Sequence, residues 1–137
     1  MMKTFVFDTS AWFALIEDEP GSDMVQDILE KTRSAEDQIL VSFMSFMEIF
    51  YITLQEREIS EAKTRLQLIE SLPIIRVEST PSINMAAAKL KAEYHISVAD
   101  AWIAALAKER NATLVHKDPE FDQIKSELQV LELPYKK

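Results

Sequence analysis

Apolar and polar positions along the chain alternate between short continuous apolar runs and longer stretches with helical spacing. Thr4-Phe5-Val6-Phe7 is a β-leaning apolar run, and Asp8-Thr9-Ser10 after it supplies N-cap chemistry for a helix through Ala11 to Ile16. Pro20-Gly21-Ser22 breaks the chain, after which Met24, Val25, Ile28 and Leu29 keep helical spacing until about Arg33. Gln38-Ile39-Leu40-Val41 predicts a second strand, and Ser42 opens a long helix to about Arg57. That helix is apolar nearly all round, which places it deep in the fold or at a subunit or partner interface. Ser60 to Leu72 predicts an amphipathic helix ending at Pro73. Ile74 to Val77 follows as a strand, and Pro81 to Tyr94 and Ser97 to Arg110 as alanine-rich helices. Thr113 to His116 is a fourth strand, Pro119 to about Lys125 a short helix and Leu128 to Leu131 a fifth strand, leaving Lys136-Lys137 as a solvated end. Short apolar strands alternating with helices predict a parallel α/β sheet covered on both faces.

Length and composition narrow the chemistry. A chain of 137 residues with 47% hydrophobic content supports one core, so residues 1–137 are expected to form a single domain. Cysteine is absent, which removes disulfides, thiolate metal sites and cysteine nucleophiles and fits a reducing compartment. Two histidines, His95 and His116, are too few for a histidine-rich metal cage. The single glycine, Gly21, excludes phosphate-cradling loops, which need several. The opening apolar run is too short for a signal-peptide core or a membrane span, so a soluble, unprocessed, cytoplasmic protein is expected. A formal net charge of −8 opposes nucleic-acid binding unless gathered carboxylates hold divalent cations, or a basic partner covers the acidic surface.

The acids form a pattern on this sketch. Asp8 directly follows the first strand and Asp118 comes two residues after the strand ending near His116, both at strand carboxyl ends where open parallel sheets bind ligands. Glu48 lies one to two turns into its helix and Asp100 in the first turn of its own. Each has a structural alternative: Ser45 to Glu48 and Ser97 to Asp100 both fit a capping-box spacing, and Asp8 and Asp118 suit helix caps. Against that, Phe46-Met47-Glu48-Ile49-Phe50 and Val98-Ala99-Asp100-Ala101-Trp102 embed carboxylates among apolar neighbours, which is costly unless they are paired or metal-bound. Acids without a basic neighbour at Asp8, Glu48 or Asp100 suit a hard cation such as Mg²⁺ or Mn²⁺.

These segments resemble the PIN-domain ribonucleases and, within them, the VapC-like toxins of toxin–antitoxin pairs, over essentially the whole chain. Phe5-Val6-Phe7-Asp8-Thr9-Ser10 is similar to the family's opening strand and Asp-Thr-Ser turn, and Ser45 to Glu48 to its second motif. Ile96-Ser97-Val98-Ala99-Asp100-Ala101 is similar to the third, an aspartate opening an alanine-rich helix. Leu114 to Phe121 is similar to the fourth, with His116 standing where the family usually has threonine or serine. The resemblance implies a three-layer α/β/α fold with a central parallel sheet of four to five short strands and about seven helices. It implies metal-dependent endoribonuclease activity, with Asp8 and Asp100 the central Mg²⁺ or Mn²⁺ ligands. Glu48 is then a ligand or an orienter of water, and Asp118 acts directly or through a water. A cognate antitoxin and a homodimer are further expectations of the resemblance.

Thr9 and Ser10 are candidates for fixing the Asp8 carboxylate or touching the substrate phosphate, with helix capping the competing role. Lys117, Lys89, Lys91, Lys108 and Arg110 are plausible phosphate contacts, or simply solvated charge. Trp12 and Trp102 fall in apolar helical stretches and are expected in the core rather than stacked on a base. A phosphoaspartyl enzyme would need a second aspartate where Ser10 stands, and a receiver domain an acceptor aspartate where Val77-Glu78-Ser79 lies. The remaining alternative is a catalytically silent PIN-like RNA-binding or assembly module, which loss of an acid would mark.

Overall fold

The structure, a computed structural model, describes residues 2–135; the Lys136-Lys137 end lies outside them. A five-stranded parallel sheet of β1 (Lys3–Phe7), β2 (Asp37–Ser42), β3 (Ile75–Val77), β4 (Thr113–His116) and β5 (Gln129–Glu132) runs in the order β3-β2-β1-β4-β5. Between the strands lie α1 (Thr9–Ile16), α2 (Ser22–Arg33), α3 (Phe43–Glu56), α4 (Ile59–Glu70), α5 (Pro81–Glu93), α6 (Val98–Glu109) and a short 3₁₀ helix, Pro119–Ile124.

Strand side chains alternate between two cores, as the two-residue period requires. Val6, Leu40, Val77 and Leu114 pack with Leu90 of α5 and with Ile103, Ala104 and Ala107 of α6. Phe5, Phe7, Ile39, Val41 and Val115 face the opposite way, onto Trp12 of α1, Ile28 of α2, Ile49 of α3 and Ile69 of α4. The result is the three-layer α/β/α arrangement. Alanine at 101, 104, 105 and 107, all buried, lets α6 lie close on the sheet.

Each site element starts where a polar side chain caps it. Asp8 caps α1, Ser42 caps α3 and Ser97 caps α6, each side chain accepting a backbone N–H of the first turn. Because α3 is capped at Ser42, Ser45 is not a cap and the capping-box alternative for Glu48 falls away. Of the two expectations for α3, a place deep in the fold or at an interface, full burial in the fold is not observed. Phe46, Ile49 and Thr53 are buried on one side, whereas Met47 (50% exposed), Tyr51 (41%) and Leu54 (44%) face solvent on the other. Packing on the sheet layer covers one face of the helix and leaves its far side bare. Among the described residues, no helix is long and apolar enough to cross a membrane.

Candidate metal centre

The order of the sheet places the site. β1 pairs with β2 on one side and β4 on the other, so the chain's direction of winding reverses between β1 and β4, where a crevice opens beyond the strand ends. Asp8 follows β1, and its N–H still pairs with the Val115 carbonyl of β4 at 2.9 Å. Asp118 follows β4 and caps the 3₁₀ helix, its Oδ1 accepting the Glu120 N–H at 2.9 Å. Asp100 enters from the first turn of α6, its N–H donated to Ser97 Oγ at 3.1 Å. Asp8, Asp100 and Asp118 each offer an oxygen, all within 4.8 Å of one another. Asp8 and Asp100 are buried and Asp118 partly so.

Glu48 joins the same cleft, of about 570 Å³, without joining this three-oxygen cluster. Thr9 holds it: Thr9 Oγ1 donates to Glu48 Oε1 at 2.6 Å and lies 3.0 Å from Ser45 Oγ. A hydroxyl has one hydrogen, and the carboxylate is the stronger acceptor, so Ser45 donates to Thr9 in turn. Ser10 holds Asp8 instead. Its backbone N–H donates to Asp8 Oδ2 at 3.0 Å and its hydroxyl donates to the same oxygen, while the Lys117 N–H donates to Ser10 Oγ at 2.8 Å. Of the two hydroxyl residues, only Ser10 touches the Asp8 carboxylate; Thr9 serves Glu48.

The other oxygen, Asp8 Oδ1, is buried and has no hydrogen-bond partner. A buried carboxylate oxygen left unpaired is destabilising by at least about 1–3 kcal/mol, so it needs a ligand or a proton. Burial pushes Asp8 up to about 7 against the two bonds from Ser10, with Glu48 and Asp118 adding repulsion. Burial also raises Asp100, to about 10, helped by the Asp8 charge and by a hydrogen bond with Glu120. Glu48 is raised by burial, partly offset by Thr9. Carboxyls this close cannot all ionise near neutral pH without a cation between them. The donor set is oxygen only, because His116 is already used: its Nδ1 accepts the Asp118 N–H at 3.2 Å, and its buried ring packs on Phe121 with centroids 4.9 Å apart. Burial holds His116 below its ordinary range, so the ring stays neutral. Hard oxygen donors, one of them unpaired, fit Mg²⁺ or Mn²⁺.

The family model of the PIN domain matches residues 5–127. The chain belongs to the PIN domain family. No curated protein sequence matches it significantly. Among solved structures, this PIN domain is similar to VapBC2 from Rickettsia felis bound to a promoter DNA fragment, at 18% identity and a TM-score of 0.78, covering 96% of this chain and 99% of that one. It is also similar to DNA-bound VapBC from Salmonella typhimurium, at 18% identity and a TM-score of 0.74, covering 96% and 98%. Mycobacterium tuberculosis VapC20, described as a sarcin-ricin loop cleaving toxin, aligns at 15% identity and a TM-score of 0.65 over 87% and 93%. These likenesses establish a VapC-like PIN fold.

Several neighbours of the acids were not singled out by the sequence. Glu120 helps raise Asp100, and its Oε1 accepts the Ser97 N–H, supplying the reciprocal half of the capping box that Asp100 itself does not make. Its one signal was an acid two residues after Asp118. Phe13, Ile52 and Tyr135 provide apolar walls to the cleft. Lys117 also lines it, yet its ammonium donates to the Pro20 carbonyl at 3.0 Å and lies 3.6 Å from Glu19, so it is already paired. Lys108 is paired with Glu127. Trp12 is buried against Phe7, and Trp102 meets Phe43 edge-on at 5.1 Å, so neither lines the cleft.

Proposed function

We propose that this PIN domain, acting as one unit over residues 1–137, is a Mg²⁺- or Mn²⁺-dependent endoribonuclease and the toxin of a toxin–antitoxin pair. The observation that carries the reading is the convergence of Asp8, Asp100 and Asp118 at the β1/β4 crevice with Asp8 Oδ1 buried and unpaired. These three aspartates would hold the cation. When bound, it neutralises charge on a phosphodiester and acidifies a water at neutral pH. Ser10 fixes the rotamer of Asp8 through Oδ2, leaving Oδ1 free to ligate. Glu48, anchored through Oε1 by Thr9, keeps its second oxygen to orient a water and accept its proton, a role its raised proton affinity suits. Phe13 and Tyr135 offer surfaces on which the bases flanking a scissile phosphate can stack.

Supporting a protein partner, the structural neighbours are toxin–antitoxin complexes, and the α3 face carries uncovered Met47, Tyr51 and Leu54. An antitoxin and a second copy of the chain are the partners proposed. A basic antitoxin segment would also complement the net charge of −8.

The test is cleavage of a mixed cellular RNA pool with Mg²⁺, Mn²⁺ or EDTA, comparing wild type with Asp100→Asn. Metal-dependent cutting that disappears in the variant is expected. Inert wild type, freed of any antitoxin and showing no cation binding by calorimetry, would leave a silent RNA-binding module as the better reading.

A further inference from the structure

Asp100 and Asp118 come from separate elements, one from the start of a helix packed on the sheet and the other from the turn after β4. Asp118 opens the 3₁₀ helix 119–124, and Asp100 follows the connection 94–97 between α5 and α6. Besides the packing of α6 on the sheet, side chains of the 3₁₀ helix join the two turns by bonding the backbone of that connection. Gln123 Oε1 accepts the His95 N–H at 2.9 Å and Gln123 Nε2 donates to the His95 carbonyl at 2.9 Å. One amide thus grips both polar groups of one residue, as a neighbouring strand would. Two residues on, Glu120 Oε1 accepts the Ser97 N–H, and Ser97 in turn caps α6 and takes the Asp100 N–H. Ile96 between them is buried, as are Phe121 and Ile124 under the 3₁₀ helix, so both partners of the grip are anchored in the core.

We propose that Gln123 is a positioning residue: its two-point grip on His95 sets the separation of Asp100 from Asp118 and thereby the affinity of the centre for a divalent cation. This rests on the metal reading above. Gln123 touches none of the candidate ligands; it acts only through the backbone that leads to Asp100 and the turn that carries Asp118. Residues that orient the ligands of a metal typically change its affinity by about 10–100-fold when lost.

The experiment is Mn²⁺ titration of the full chain by calorimetry for wild type, Gln123→Ala, Gln123→Glu and Asp100→Asn, with thermal unfolding of each in EDTA. Gln123 is exposed, so neither substitution at 123 disturbs the core. Gln123→Ala is expected to bind Mn²⁺ about tenfold more weakly. Gln123→Glu keeps the acceptor for the His95 N–H, loses the donor to its carbonyl, and adds a negative charge that alone would tighten cation binding. Weaker binding in that variant therefore isolates the geometric effect. Gln123 variants that melt lower in EDTA yet bind Mn²⁺ as wild type does would overturn the proposal, leaving a structural contact only. A wild type that binds no Mn²⁺, or binds it no better than Asp100→Asn, would overturn the metal reading and the grip with it.

Discussion

Three carboxyl groups whose oxygens lie within 4.8 Å of one another resist ionising together, and this governs how the metal-free protein responds to pH. The folded chain holds protons on Asp8 and Asp100 that the unfolded chain releases in the ordinary carboxylate range. Stability is therefore greatest on the acid side of that window and falls as pH rises through about 7 for Asp8 and on toward about 10 for Asp100. EDTA-treated protein is expected to melt lower at pH 8 than at pH 5.5, and saturating Mn²⁺ to reduce that slope. Asp100→Asn should flatten the slope and stabilise the metal-free protein by about 1–3 kcal/mol at pH 8, read from circular dichroism melts. A slope unchanged in the variant would mean that other groups set it. At Thr9 the expected division is different. Thr9→Val keeps the branched shape and removes the hydroxyl shared by Glu48 and Ser45, so single-turnover RNA cleavage should slow by at least about tenfold. Stability should fall by about 1 kcal/mol, with Mn²⁺ affinity retained.

At the scale of elements, the strand and helix order was legible because hydrophobic period and cap chemistry agree at the starts of α1, α3 and α6. Ser42 and Ser97 were readable as cap residues, and the choice of Ser42 over Ser45 frees Glu48 from a capping role. Asp8, Asp100 and Asp118 could be placed at strand ends or in a first helical turn from sequence, which is why they could be grouped before any coordinates. What could not be read depends on contacts between distant segments. Glu120 and Gln123 acquire their partners only because residues 95–97 pack beside residues 120–123, and Lys117 is neutralised by Glu19 and Pro20 nearly a hundred positions earlier. The start of α2 was marked by the Pro20-Gly21-Ser22 break, but the tertiary reason for its glycine was not legible. Gly21 has φ +99, and a Cβ there would stand 2.9 Å from Leu133 Cβ. Gly21→Ala combines an unfavourable left-handed backbone with that clash, and urea unfolding should show a loss of about 1–3 kcal/mol.

On the scale of the whole molecule, the α3 face leaves Met47, Tyr51 and Leu54 exposed together. Its apolar character was plain in the sequence, but the side left uncovered was not, since that depends on which face the sheet layer takes. Association through this face is tested by Tyr51→Asp. Light scattering should give a dimer for wild type and a monomer for the variant at the same concentration, with the melting temperature of the monomeric fold little changed. A wild-type monomer would remove the dimer from the proposed function. The parallel pairing of β1 with β4 has one more consequence, for the chain during its own synthesis. β1 leaves the ribosome early and β4 late, with Phe7 opposite Val115 in the finished sheet. Until that pairing closes, Asp118, two residues beyond β4, is not held beside Asp8, so the three-oxygen cluster is incomplete on the nascent chain. On the proposed metal reading, the cation site is therefore assembled only after residue 118 has emerged and β4 has taken its place beside β1.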